Sequence, residues 1–136
     1  MVDIPKDVQT SLIEYKPASD NVLTRVIRPN PYYKPDETAD NLAAAIEAIN
    51  QSSRPVIFAG GGVNIAGAHK ELLAFAEKIK APVCCSLMGM GAFPGTHPYF
   101  MGMVGMHGTR YSNYAVSECD VLLAVGARFS DRVISK

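Results

Sequence analysis

The chain has 136 residues, 48% of them apolar, which suits one globular domain with one hydrophobic core and not two. Thirteen Lys and Arg balance thirteen Asp and Glu, so the chain lacks the basic excess of a non-specific nucleic-acid or membrane-surface binder. No apolar run approaches the roughly 20 residues of a membrane span, and Met1-Val2-Asp3-Ile4-Pro5 has no charged-then-apolar signal pattern, so a soluble, cytoplasmic protein is expected.

Residues 10–35 carry Pro17, Pro29, Pro31 and Pro35 with little periodicity and read as an extended surface linker. Regular structure is expected from 36 onward. Pro35 suits the first turn of a helix, and Asp36 and Glu37 favour its positive N-terminus. Ala39, Leu42, Ala43, Ile46 and Ile49 then recur at helical spacing up to Arg54-Pro55. Val56-Ile57-Phe58-Ala59 is a short apolar run that stops at Gly60-Gly61-Gly62, as a parallel strand buried on both faces does. A second helix carries Leu72, Leu73, Phe75, Ala76 and Ile79 on one stripe. Pro82–Leu87 is a second strand, 88–108 a long Gly- and Met-rich loop, and Thr109–Glu118 a third helix. Val121–Val125 is a third strand, ended by Gly126.

Alternating helices and strands predict an α/β fold, a doubly wound parallel sheet of Rossmann-like type. Ligands in such sheets bind beyond the carboxyl ends of the strands, here Gly60–Gly62, Ser86–Gly91 and Gly126–Arg132. Three strands are few against the five or six usual in these sheets, so the domain reads as incomplete at its C-terminus.

The three cysteines, Cys84, Cys85 and Cys119, form no CxxC pair and fit reduced thiols. Adjacent Cys84 and Cys85 point to opposite faces of a strand and cannot share a metal, so all three read as small buried residues and no metal site is expected.

The glycine triplet could bring backbone N–H groups to an anionic ligand, or could simply let strand and helix pack closely. It is not GxGxxG, since position 65 is Ile, and no acidic residue follows at about 20 residues to hold a ribose, which disfavours a standard NAD site. Gly102, Gly105 and Gly108 bracket Met101, Met103, Met106 and His107. The thioethers could pack on a flat ring system or merely fill a core, and His107 could donate to a ligand or be structural. His69 and His97 are expected to be exposed. Arg128, Asp131 and Arg132 at a strand end suit a phosphate or carboxylate, or a surface ion pair. There is no GxSxG, HExxH, Walker A or paired-carboxylate pattern. The chain reads as a binding module rather than a self-contained active site.

Four segments resemble acetolactate (acetohydroxyacid) synthase catalytic subunits. Leu87-Met88-Gly89-Met90-Gly91-Ala92-Phe93-Pro94-Gly95-Thr96-His97-Pro98 is similar to their LMGxGxFP–HP stretch. Gly102–Thr109 is similar to their GMxGMHG segment, and Gly126–Val133 to GARFDDRV. Asp3–Gln9 matches the DIPKDVQ end of the preceding pyrimidine-binding domain. The resemblance implies an order of 1–9 for the end of that domain, 10–35 for the linker and 36–136 for the central FAD-binding-type domain.

In that family the flavin has no net redox part in the main reaction. Thiamine diphosphate and Mg²⁺ are bound by other domains, and two pyruvates, or pyruvate and 2-ketobutyrate, are joined with loss of CO₂ in branched-chain amino acid synthesis. The resemblance assigns Gly60, Gly61, Gly62, Ser86, Leu87, Met106, His107, Gly126, Ala127, Arg128, Ser130, Arg132 and Val133 to the flavin. It assigns Arg132, with Met106 beside it, to the active site, the guanidinium meeting the acceptor keto acid's carboxylate. Ser130 departs from the family's Asp, and some members lack FAD. The implied partners are 2-keto acids, a homodimer or homotetramer of full-length subunits and a small regulatory subunit. This chain alone is expected to be inactive. The alternatives are a stand-alone nucleotide-binding or regulatory module, and another thiamine-diphosphate decarboxylase or carboligase.

Overall fold

A computed structural model describes residues 38–130 together with Arg132 and Val133. The segments expected at 1–9 and 10–35, the helix-start residues Pro35 to Glu37, and Asp131 lie outside the described residues. Helix α1 runs Thr38–Gln51. Its periodicity predicts the helix, on which Leu42 is 59% and Ile46 50% exposed.

Strand β1, Pro55–Ala59, buries four successive residues. Val56 and Phe58 face one core cluster, Ile57 and Ala59 the other. The segment after Gly60, expected as one helix, is two. Helix α2, Gly61–Ala66, ends where Gly67 turns left-handed at φ 67°, and helix α3, His69–Ile79, follows. Leu72 and Ala76 of α3 are buried against the first cluster, with Leu73, Phe75 and Ile79 flanking them. Strand β2 is Val83–Cys85. Cys84 and Cys85 are both fully buried, on opposite faces.

The expected loop at 88–108 is not all loop. It holds a 3₁₀ turn, Leu87–Gly89, and a fourth strand, β3, Phe100–Met103. No alternation announces β3, because its pairing shifts by one residue. Val83 pairs with Phe100 but Cys84 with Gly102, leaving Met101 extra. Gly102 accommodates this bulge at φ 86°. Helix α4, Arg110–Glu118, starts at Thr109, whose side chain caps it by accepting from the Ser112 N–H. Strand β4, Val121–Val125, completes the described sheet.

All pairings are parallel and the order is β3-β2-β1-β4. The chain winds outward from β1 through β2 to β3, then crosses back to lay β4 on β1's other side. The direction of winding thus reverses between β1 and β4, and a doubly wound sheet opens a crevice at that place, beyond its carboxyl edge. Phe58, 1% exposed, anchors one face and Ile57, fully buried, the other. Each contributes about 1.5–3 kcal/mol by burial. No helix among the described residues is long and apolar enough to cross a membrane.

Candidate functional site

Because the strands are parallel, the segments after β1, β2, β3 and β4 all emerge at one edge. Two meet at the switch point. The Gly60 amide donates to the Val125 carbonyl at 2.9 Å and the Gly62 amide to the Gly126 carbonyl at 2.8 Å. The backbones touch so closely that a Cβ at Gly60 would lie 2.3 Å from the Gly126 oxygen, and one at Gly62 2.7 Å from the Gly126 Cα. Close packing is what these two glycines do here, with their N–H groups engaged inside the chain. Gly61 faces the Met88 side chain, which a Cβ would approach to 3.0 Å.

The segment after β2 is pinned at both ends. The Ser86 amide donates to the Ala59 carbonyl at 2.9 Å, and the Ser86 hydroxyl accepts from the Gly89 amide at 3.1 Å. Asn64 Nδ2, from α2, donates to the carbonyls of Met88 at 2.9 Å and Met90 at 3.2 Å. Asn64 Oδ1 therefore faces His69 Nε2, 3.1 Å away, and accepts a hydrogen bond from the Nε2-protonated tautomer. The result is a rigid turn presenting Leu87 and Met88 outward, 73% and 75% exposed.

The segments after β3 and β4 are joined to each other. The Met106 amide donates to the Arg132 carbonyl at 3.0 Å, and the Val133 amide to the Ser130 carbonyl at 2.9 Å. Phe129 lies over the edge of the core, its ring 5.6 Å from that of Phe58.

Between these segments lies a cavity of about 480 Å³, within the range of small-molecule sites. Ser86, Leu87 and Met88 line it from β2, and Met103, Val104, Met106 and His107 from β3. Arg128, Ser130, Arg132 and Val133 line it from β4. The lining combines polarisable thioethers and aliphatic groups, two guanidinium groups, two hydroxyls and an imidazole. Such a set suits a flat, partly apolar ring carrying anionic substituents.

Ser86, Leu87, Met106, His107, Arg128, Ser130, Arg132 and Val133 are thus brought together around one cavity. Gly60, Gly61, Gly62, Gly126 and Ala127 adjoin it at the switch point without lining it. Met103, one of the methionines named for packing on a flat ring, lines the cavity, whereas sequence reasoning missed Met88, which lies inside a motif it had quoted, and Val104, which follows the unforeseen β3. It also missed Asn64 and Asn113, whose side chains brace loops rather than face the cavity. His97, expected to be exposed, is half-buried. Its ring meets Phe93 edge-on at 5.1 Å, Nδ1 accepts from the Tyr99 amide at 3.2 Å, and Nε2 lies 3.4 Å from Glu77.

Comparison with known proteins adds an independent line. Residues 42–136 match the family model described as thiamine pyrophosphate enzyme, central domain. The chain is 51% identical over 97% of its length to a protein of Methanocaldococcus jannaschii named "Probable acetolactate synthase large subunit", of which it covers 22%. It is 40% identical over its whole length to acetolactate synthase isozyme 2 large subunit of Escherichia coli, covering 23% of that protein. Among solved structures, one titled "X-ray structure of a putative thiamin diphosphate-dependent enzyme isolated from Mycobacterium smegmatis" superposes with a TM-score of 0.60 and 34% identity. That match covers 72% of this chain and 19% of the other. The chain thus spans about a fifth of the length of the relatives it matches.

Proposed function

We propose, from the premise that this chain belongs to the thiamine pyrophosphate enzyme family and matches its central domain, that it serves as the central domain of an acetolactate synthase. The complete enzyme would condense two pyruvates, or pyruvate and 2-ketobutyrate, with release of CO₂. The observation that carries this reading is the convergence of Met106, His107, Arg128, Ser130 and Arg132 with Ser86 and Leu87 around one cavity at the sheet's carboxyl edge.

FAD is the ligand that this lining suits. Leu87, Met106 and Val133 would pack on the ring system, while Ser86, His107 and Ser130 would hydrogen-bond to it. Arg128 would hold anionic oxygens. Gly60, Gly61, Gly62, Gly126 and Ala127 would serve the flavin indirectly, by letting the two segments at the switch point pack closely beside it. The flavin would supply a structural platform rather than electrons. Arg132, with Met106 beside it, would border the reaction site, where a forked guanidinium binds the acceptor keto acid's carboxylate through two parallel hydrogen bonds. That contact orients the acceptor carbonyl toward the nucleophile and holds no proton of its own. Thiamine diphosphate, and the Mg²⁺ that binds its diphosphate, would be held by other domains of a cytoplasmic assembly of full-length subunits, with a small regulatory subunit as a further partner.

Calorimetric titration of the purified chain with FAD, NAD and ADP tests the ligand. Saturable binding of FAD in preference to the other two is expected, whereas preference for NAD or ADP would favour a stand-alone nucleotide module. On this reading the 136-residue chain makes no acetolactate from pyruvate with thiamine diphosphate and Mg²⁺ present, and turnover by it would overturn the reading.

A further inference from the structure

The first turns of α4 carry a row of polar side chains that meet β3 and its extension at every second residue. Thr109 Oγ1 donates to the Met101 carbonyl at 2.9 Å. Ser112, fully buried, donates from its hydroxyl to the Met103 carbonyl. Asn113 meets Gly105 twice: its Oδ1 accepts from the Gly105 amide at 2.8 Å, and its Nδ2 donates to the Gly105 carbonyl at 3.1 Å. The carbonyls of Met101 and Met103 and both backbone groups of Gly105 face the helix rather than β2. The helix start thus takes the place of a fifth strand on the outer edge of β3.

The contact at Gly105 differs from the other two. A single side-chain amide there satisfies both the donor and the acceptor of one residue, as a neighbouring strand would. Gly105 is at φ 105°, open to glycine alone, and on its other side the Arg132 oxygen lies 2.4 Å from where a Cβ would be. The next residue, Met106, donates its amide to the same Arg132 oxygen. Asn113, Gly105, Met106 and Arg132 therefore form one continuous connection from α4 to two walls of the cavity. Asn113 itself does not line it.

We infer that Asn113 is a positioning residue of this cavity: its side-chain amide fixes the Gly105 peptide groups and thereby sets the Met106–His107 wall against the Arg132 segment. The inference rests on the flavin reading for its ligand, but not for its geometry. Without the amide, Gly105 returns to the wide freedom of glycine, and the wall it carries loses its fixed place.

The test uses the full chain and two variants. Asn113→Ala removes both bonds. Asn113→Asp keeps the shape and the acceptor but loses the donor, so it remains informative should the alanine variant not fold. Hydrogen exchange followed by mass spectrometry is expected to show lower protection of the Gly105 and Met106 amides in Asn113→Ala, and of the Met106 amide in Asn113→Asp, whose carboxylate still accepts from Gly105, with β1 unchanged. FAD titration is expected to show a dissociation constant raised about tenfold in Asn113→Ala, matching two modest hydrogen bonds. Unchanged protection at Gly105 and Met106 would overturn the inference, as would an equal loss of protection across the whole sheet. If the unaltered chain fails to bind FAD, the flavin reading falls, and the exchange result still decides the role of Asn113.

Discussion

The amide of Met106 and the carbonyl of Arg132 share a 3.0 Å hydrogen bond. On the proposed reading these two residues border the reaction site, and they belong to segments that leave different strands. Their backbone bond makes the cavity's thioether wall and its guanidinium wall a single unit, so a change on one side is felt on the other.

Gly105→Ala is expected to break that unit. A methyl group would lie 2.4 Å from the Arg132 oxygen, at a φ of 105°. A loss of about 2 kcal/mol or more is expected from the strained backbone and the clash together, read as a lower denaturant midpoint with an unchanged slope. FAD binding should weaken in the molecules that remain folded.

Gly60→Ala and Gly67→Ala make a controlled pair. The first forces a methyl to 2.3 Å from the Gly126 oxygen, whereas the second points into open space at φ 67°. Gly67→Ala should cost about 1 kcal/mol, the ordinary penalty of a left-handed alanine. Gly60→Ala should cost several times as much by parting β1 from β4 at the switch point. Thermal unfolding of both variants gives the ratio.

Arg128→Ala should weaken FAD binding with little change in unfolding temperature, because the residue is exposed and lines the cavity. Equal FAD affinity in variant and parent would remove Arg128 from the proposed site.

Asp120 gives the fold a pH dependence of known sign. Its carboxyl is held at about 2, below the ordinary 3.8, first by the Ser52 hydroxyl and then by backbone amides of Ser53 and Arg54. A carboxyl depressed in the folded state stabilises above its unfolded value, and the stabilisation is lost as pH falls from 3.8 toward about 2. Asp120→Asn should remove the part of the acid transition that falls in this window, as followed by circular dichroism.

The thiols should divide by burial. Burial first, then the neighbouring Cys85 and Cys119, pushes the Cys84 thiol up to about 12, and burial pushes Cys85 up to about 11. With the thiolate so scarce and the sulfurs enclosed, neither should react with a disulfide reagent at pH 8 until the protein unfolds. Half-buried Cys119, also raised by burial, should react slowly in the native state.

Much of this was legible in the sequence where one cause dominates. The run Val56–Ala59 could only be a strand covered on both faces, and Cys84 and Cys85 had to part to opposite sides of theirs. The motifs around Met106 and Arg132 named most of the cavity lining. What could not be read depends on partners distant in the chain. Strand β3 exists because β2 lies beside it and Gly102 absorbs an extra residue, and neither fact leaves a periodic trace. The helical spacing in α1 was legible, but not that Leu42 and Ile46 stay open to solvent. Asn64 and Asn113 are ordinary helix-surface residues until tertiary structure places backbone carbonyls and amides before them.

The central position of β1 has a temporal consequence. One of its neighbours, β2, is close in sequence, but the other, β4, arrives only after the whole of β3 and α4. At a synthesis rate of about 5–20 residues per second, a nascent chain spends some seconds with three strands made and one flank of β1 bare. The cleft at the switch point has no second bank during that interval, so on the proposed reading ligand binding waits for β4 to dock.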